Sequence, residues 1–414
     1  MMAHSHGHTV LDPKTVLDEP RFLEARGRKF MIASAAVGIL ALIAAFALGA
    51  AAGDGFKRFS FSYLLNFAYF LSLSLGALFF VGIQYLTKAS WSVVVRRIAE
   101  TFAALFPLLA ILALPIILPV LIGGSPLYSW TTADSAKDHL LHAKAPYLNP
   151  AFYIVRMVIY FGAWTALGLI FHRRSVAQDA SADVEITRRQ EKLSAPAMVV
   201  FALTLTFAAI DFIMALDYTW YSTIFGVYFF SGSVLGFFAF LTAIAMLVQR
   251  LGWIPRAITI EHYHDLGKLM FAFTMFWAYI AFSQYMLIWY ANLPEETGWF
   301  LRRQSGEWTW FSWFLLVGHF IVPFLYLISR GIKRRKRLLI PAALWLIAMH
   351  WIDLYYLIVP EFGSAKIPFT PGDVLLLAGI GGIWLAGAAF VAGKHSLIPV
   401  GDPRLGESLR FENV

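Results

Sequence analysis

Asp211, His319, His350 and Asp353 lie inside long apolar stretches of the chain, and Asp217 closes one of them. A charged group at the centre of a bilayer costs at least about 2.5–3.5 kcal/mol on insertion scales, so each asks for a partner or a purpose. His350 and Asp353 are three positions apart, which on a helix puts them on one face. His319 falls near the middle of its own stretch, and Ser283, Gln284 and Tyr285 occur together in another. Carboxylates, imidazoles and phenols at such depth are the materials of a proton relay, because each can take and release a proton or hold a water. The competing reading is a satisfied structural network, in which Asp211 or Asp353 accepts hydrogen bonds from Trp or Tyr across a helix interface.

The other half of the membrane is poorer in such groups. It offers Ser72, Ser74, Gln84, Thr204, Thr206 and Thr242, with Glu100, His264, Asp265 and Lys268 near the surface. A complete proton wire would need bound water there, and hydroxyl residues commonly serve helix packing. His319 and His350 also raise a haem held between two helices, but two histidines are too few to identify haem ligands. His4, His6 and His8 read most simply as part of a mobile polar tail rather than a metal site.

The elements that must position these residues are transmembrane helices. Of 414 residues, 59% are hydrophobic and 14% charged, against an apolar share of roughly 45–50% in soluble domains. A helix crosses the hydrocarbon core with about 20 apolar residues. Such stretches fall at 30–52, 61–86, 99–123, 151–172, 195–217, 221–248, 267–291, 308–329, 338–359 and 373–393. The fold class is therefore an all-α integral membrane protein of about ten helices, between an N-terminal tail (1–29) and a C-terminal tail (394–414). The absence of cysteine excludes thiolate-bound iron–sulfur clusters, haem c attachment and disulfides, so redox centres are expected in partners and no cofactor in this chain.

An even number of spans places both termini on one side. About 25 of the 33 lysines and arginines lie on that side, including Arg26, Arg28, Arg96, Arg97, Arg173, Arg174 and the run from Arg330 to Arg337. By the positive-inside rule both termini are cytoplasmic. The net charge of +8 is thus membrane topology, and no nucleic-acid partner is expected. Trp289, Tyr290, Trp308 and Trp310 fall at helix ends, where an aromatic belt is expected. With the first and last helices as flanks, the rest divides into two parallel four-helix units, about 61–217 and 221–359. Pro107, Pro115 and Pro119 should bend the third helix, and Gly379, Gly382 and Ala386 should let a neighbour approach the last one.

Particular stretches carry a resemblance. Asp211 to Ser233 reads DFIMALDYT then WYSTIFGVYFFSGS; Asp265 to Thr297 reads DLGKLMFAFTMFWAYIAFSQYMLIWYANLPEET; His319 to Arg330 reads HFIVPFLYLISR. Together they resemble the NrfD-like family, the membrane subunits of polysulfide reductase type, and within it the F-type subunits of bacterial alternative complex III, a quinol:cytochrome c oxidoreductase. The resemblance spans essentially the whole chain. It implies a ten-helix subunit of the bacterial cytoplasmic membrane, beside a related quinol-binding membrane subunit and peripheral subunits that hold haem c and iron–sulfur clusters. It further implies a proton path rather than redox chemistry in this chain. The path would use Asp211, Asp217, Ser283, Gln284, Tyr285, His319, His350 and Asp353, and towards the cytoplasm Glu100, His264, Asp265 and Lys268. Two alternatives stand beside it: a quinone-binding redox subunit with the quinone on Asp211 or Tyr228, and a purely structural anchor. A free-standing secondary transporter is disfavoured, because no paired broken helices appear in two inverted halves.

Overall fold

The computed structural model describes residues 18–132 and 138–413. The histidines at positions 4, 6 and 8 lie outside the described residues. Ten helices are long and apolar enough to cross a membrane: α1 (Glu24–Ala51), α2 (Lys57–Leu86), α3 (Val93–Leu121), α4 (Pro150–Ser181), α5 (Val184–Leu216), α6 (Phe225–Arg250), α7 (Ile260–Ala291), α8 (Trp308–Leu327), α9 (Lys336–Phe362) and α10 (Pro371–Ala392). No strand occurs among the described residues. The chain is a multi-pass membrane protein.

Several helices outrun the apolar stretches that announce them. α4 and α5 continue past the expected ends into a polar hairpin that turns at Ala182, whose φ is +49°. α7 starts at Ile260 rather than 267 because Thr259 and His262 form a capping box. α3 is broken into Val93–Ala103, Phe106–Leu112 and Leu114–Leu121, with Pro107 and Pro115 in the first turns of the later pieces. A proline has no N–H to give the preceding turn and is tolerated at a helix start, so the chain restarts there. Pro119 stays inside its piece.

α2 is the centre of the molecule, buried along nearly its whole length. It packs on α3 and α5, and α6 packs in the same way on α7 and α9; α2 and α6 also touch each other. α4 lies against α3 and α5, and α8 against α7 and α9. The flanking helices α1 and α10 pair with one another. A Cβ on Gly38 would sit 2.8 Å from Ile383 N and 2.9 Å from the Gly379 carbonyl, so the neighbour admitted by the small residues of α10 is α1.

The two tails meet on one face, where Leu397 N–H donates to the Arg21 carbonyl at 2.8 Å. We call this the terminal face and the opposite one the far face. The C-terminal segment is not loose: the Arg96 guanidinium bonds Asp402, Arg404 bonds Glu191 at 2.5 Å, and Asn413 Nδ2 donates to the Glu261 carbonyl at 3.2 Å. Lys333, in the connection between α8 and α9, donates to the last carbonyls of α8, Leu327 and Ile328, at 2.6 and 3.2 Å. Burial and then the neighbouring Lys268 hold its ammonium below the usual lysine value.

Candidate functional site

Asp353 is 1% exposed, on the face of α9 that meets α6 and α7. Tyr228 Oη of α6 donates to its Oδ1 at 2.6 Å, and Trp277 Nε1 of α7 donates to its Oδ2 at 3.0 Å. One turn away, His350 Nε2 lies 2.7 Å from Ser72 Oγ of α2. Ser72 spends its single proton on the Tyr69 carbonyl at 2.7 Å. Its oxygen therefore accepts from His350 Nε2–H, which fixes the imidazole tautomer and leaves Nδ1 as an acceptor with no protein partner. α6 comes this close because it presents Gly232 and Gly236, one turn apart. A Cβ on Gly232 would stand 3.3 Å from both Asp353 Oδ2 and His350 Nδ1, and one on Gly236 would stand 2.6 Å from His350 Cδ2.

His319 joins from α8, on a π-helical segment, Leu316–Ile321. Pro323 cannot donate to the His319 carbonyl four residues back, which accounts for the local change of register. Trp345 Nε1 of α9 collects the Gly318 carbonyl at 2.7 Å. The His319 ring lies 4.1 Å from the Trp277 ring, centroid to centroid, fully buried, with neither nitrogen bonded to protein. Trp277 thus touches both Asp353 and His319.

Asp211 does not belong to this group, contrary to the shared cluster expected from its depth. Arg156 of α4 grips it through Nε and Nη2 at 2.8 and 2.9 Å, and Tyr160 Oη donates at 2.7 Å. Arg156 and Tyr160 both belong to α4, and neither bonds Asp353. The sequence signal for this pair was available: Arg156 is a basic residue inside an apolar stretch, which demands an anion.

The remaining expected path residues scatter. Asp217 lies on the far face, bonded by Arg302, which also reaches Glu361 at 3.1 Å and so ties the end of α5 to the end of α9. Burial raises the Asp217 carboxyl, but Thr219 and Arg302 outweigh it and hold it below the usual aspartate value. Arg303 stacks on Trp299 and donates to Glu361 and to the Tyr356 and Leu357 carbonyls at the end of α9. On the terminal face Glu100 is fully buried between Arg96 and Arg97, at 3.4 and 3.1 Å, and Lys268 pairs with Asp265. His264 is buried beside them. Ser283 is half-buried, and Tyr285 packs edge-on against Phe300.

Seven other carboxylates are buried, and each has a cation: Asp211 has Arg156, Asp373 has Arg58, Glu100 has Arg96 and Arg97, Asp402 has Arg96, Glu261 has Arg334, Asp265 has Lys268 and Glu19 has Arg256. Among the described residues Asp353 is the one buried carboxyl without an ion pair. Protonating Asp211 would strand a buried guanidinium, whereas Asp353 can gain or lose a proton without breaking a pair. Trp384 of α10 stacks on Phe102 at 4.6 Å and lies 5.2 Å from Phe240. Trp384 Nε1 donates at 2.9 Å to Ser74 Oγ, two residues along α2 from Ser72.

Towards the far face, Tyr228 and Trp277 form the floor of a cavity of about 620 Å³, walled by α7, α8 and the short helix Pro294–Arg303. Gln284 lines it, 3% exposed, with Nε2 unbonded. Compared with known proteins, the chain matches no family model and no curated sequence.

Proposed function

We propose that this chain is a proton-handling membrane subunit of a respiratory quinol:cytochrome c oxidoreductase of the NrfD-like type, with no redox centre of its own. The observation that carries the reading is the unpaired Asp353, held by Tyr228 and Trp277, with His350 one turn away on α9 and His319 against the Trp277 ring. A carboxyl that can exchange a proton without losing an ion pair, in a group that also holds two imidazoles with unspent nitrogens, suits a relay better than an anchor. Asp211, Glu100, Asp217 and Lys268 act as fixed ion pairs rather than carriers in this reading. The quinone, haem c and iron–sulfur clusters belong to partner subunits, including a related quinol-binding membrane subunit.

Moving one charge across the membrane against 100 mV costs about 2.3 kcal/mol, so the relay depends on a coupled reaction in a neighbour. In this reading protons pass between the Asp353 group and the terminal face by hydration near Ser74, beside the Trp384 ring. The test is vectorial proton movement and quinol oxidation measured together in liposomes holding the whole complex, with Asp353→Asn in this chain. The basic terminal face is cytoplasmic in this account, and the chain resides in the bacterial inner membrane. Because it has no cysteine, Glu407→Cys and Lys366→Cys report the two sides: an impermeant thiol reagent added outside right-side-out vesicles modifies position 366 and spares 407.

The alternative quinone-binding reading, with contacts at Asp211 or Tyr228, finds both groups engaged. Asp211 is closed by Arg156, and the Tyr228 proton is spent on Asp353.

A further inference from the structure

We infer that the cavity between α7 and α8 is a binding site for a lipid-soluble molecule carrying a carbonyl oxygen, which accepts a hydrogen bond from the Gln284 amide. At about 620 Å³ the cavity falls within the range of small-molecule sites, and its walls are largely aromatic. Two of its lining residues, Phe282 and Trp313, are 60% and 58% exposed on the apolar surface, so the cavity is entered from the lipid between α7 and α8.

Gln284 supplies the specific polar contact. It is 3% exposed, it lines the cavity, and its Nε2 meets no protein acceptor. Nε2 is closed off as placed, and turning the amide end for end about its last torsion presents it to the cavity, where a ligand carbonyl recovers the about 1–3 kcal/mol that a buried donor without an acceptor costs. Gln284 lies seven residues before the end of α7, about 10 Å in from that end at 1.5 Å per residue, so a head group on it is inside the hydrocarbon region. The carbonyl of an acyl ester and that of a quinone ring both meet these requirements. Asp353 itself does not line the cavity, but the floor is made of Tyr228 and Trp277, the two donors to Asp353, so an occupant touches the residues that hold that carboxyl.

The test is photolabelling of the protein, assembled in its complex in nanodiscs, with two probes: an azido-quinone and a phosphatidylcholine bearing a diazirine on its acyl chain. At least one probe is expected to modify peptides of α7 and α8 around Phe282 and Trp313. Gln284→Leu is expected to lower that labelling at least threefold and Ala281→Trp, which fills the cavity, at least tenfold. Asp353→Asn is expected to leave it unchanged, so failure of the relay and failure of the site are told apart. Labelling by the quinone probe alone or the lipid probe alone names the source. Absence of labelling with both probes, or labelling that Gln284→Leu does not reduce in a variant with wild-type melting temperature, overturns the assignment.

Discussion

Tyr228 donates its phenol proton to Asp353 Oδ1 at 2.6 Å, from the neighbouring helix α6. The oxygen that receives it has no cation to share, so this bond and that from Trp277 are what solvate the carboxyl. We expect Tyr228→Phe to cost about 1–3 kcal/mol, because it leaves a buried acceptor short of a donor. A double-mutant cycle with Asp353→Asn, read by denaturant titration in micelles, should show a coupling above about 1 kcal/mol, since partners in one hydrogen-bonded network do not behave additively. Additive effects would remove the pair from the account.

Arg156 and Asp211 should behave as a structural lock. Removing one partner of a buried ion pair strands the other and costs about 3–5 kcal/mol. Asp211→Asn and Arg156→Ala should therefore lower the melting temperature far more than Asp353→Asn does. Replacing both partners by apolar residues should recover most of the loss.

Gly236 tests the α6–α9 contact. Its added methyl would meet His350 Cδ2 at 2.6 Å, so Gly236→Ala must displace the imidazole and should cost about 1–3 kcal/mol. Gly162, on an open helix surface with nothing within 4 Å of the position, is the control. There the same change should be neutral or stabilising, because alanine favours the helix.

The far-face clasp gives a pH dependence. Asp217 titrates below its ordinary value of 3.8 in the folded chain, so the unfolded state binds its proton first as pH falls. The stabilisation is fully present above 3.8 and is lost as pH drops through the depressed value. In acid melting curves the wild type should lose its advantage over Asp217→Asn across that window. An advantage that persists below it would separate the clasp from the Asp217 carboxylate.

Hydropathy made the ten spans legible, because backbone in lipid must close its hydrogen bonds within helices. The His350 and Asp353 face was legible from spacing alone. The partition of the intramembrane acids was not. Depth along a helix puts Asp211 and Asp353 at one level, but which neighbour each faces depends on helix packing, and only Arg156 hinted that Asp211 was already paired. Tyr228 and Trp277 were hidden among many aromatics of similar placement. The C-terminal segment looked like a tail because its ion pairs, Asp402 with Arg96 and Arg404 with Glu191, join residues about 200 to 300 positions apart in the chain.

The central claim is that Asp353 exchanges protons while its paired counterparts do not. It is tested most directly by proton release and quinol oxidation recorded together in liposomes containing the proposed quinol-oxidising complex, wild type against Asp353→Asn. The account predicts that oxidation persists while vectorial proton movement falls. If both persist unchanged, Asp353 is a structural acceptor and the relay reading is contradicted.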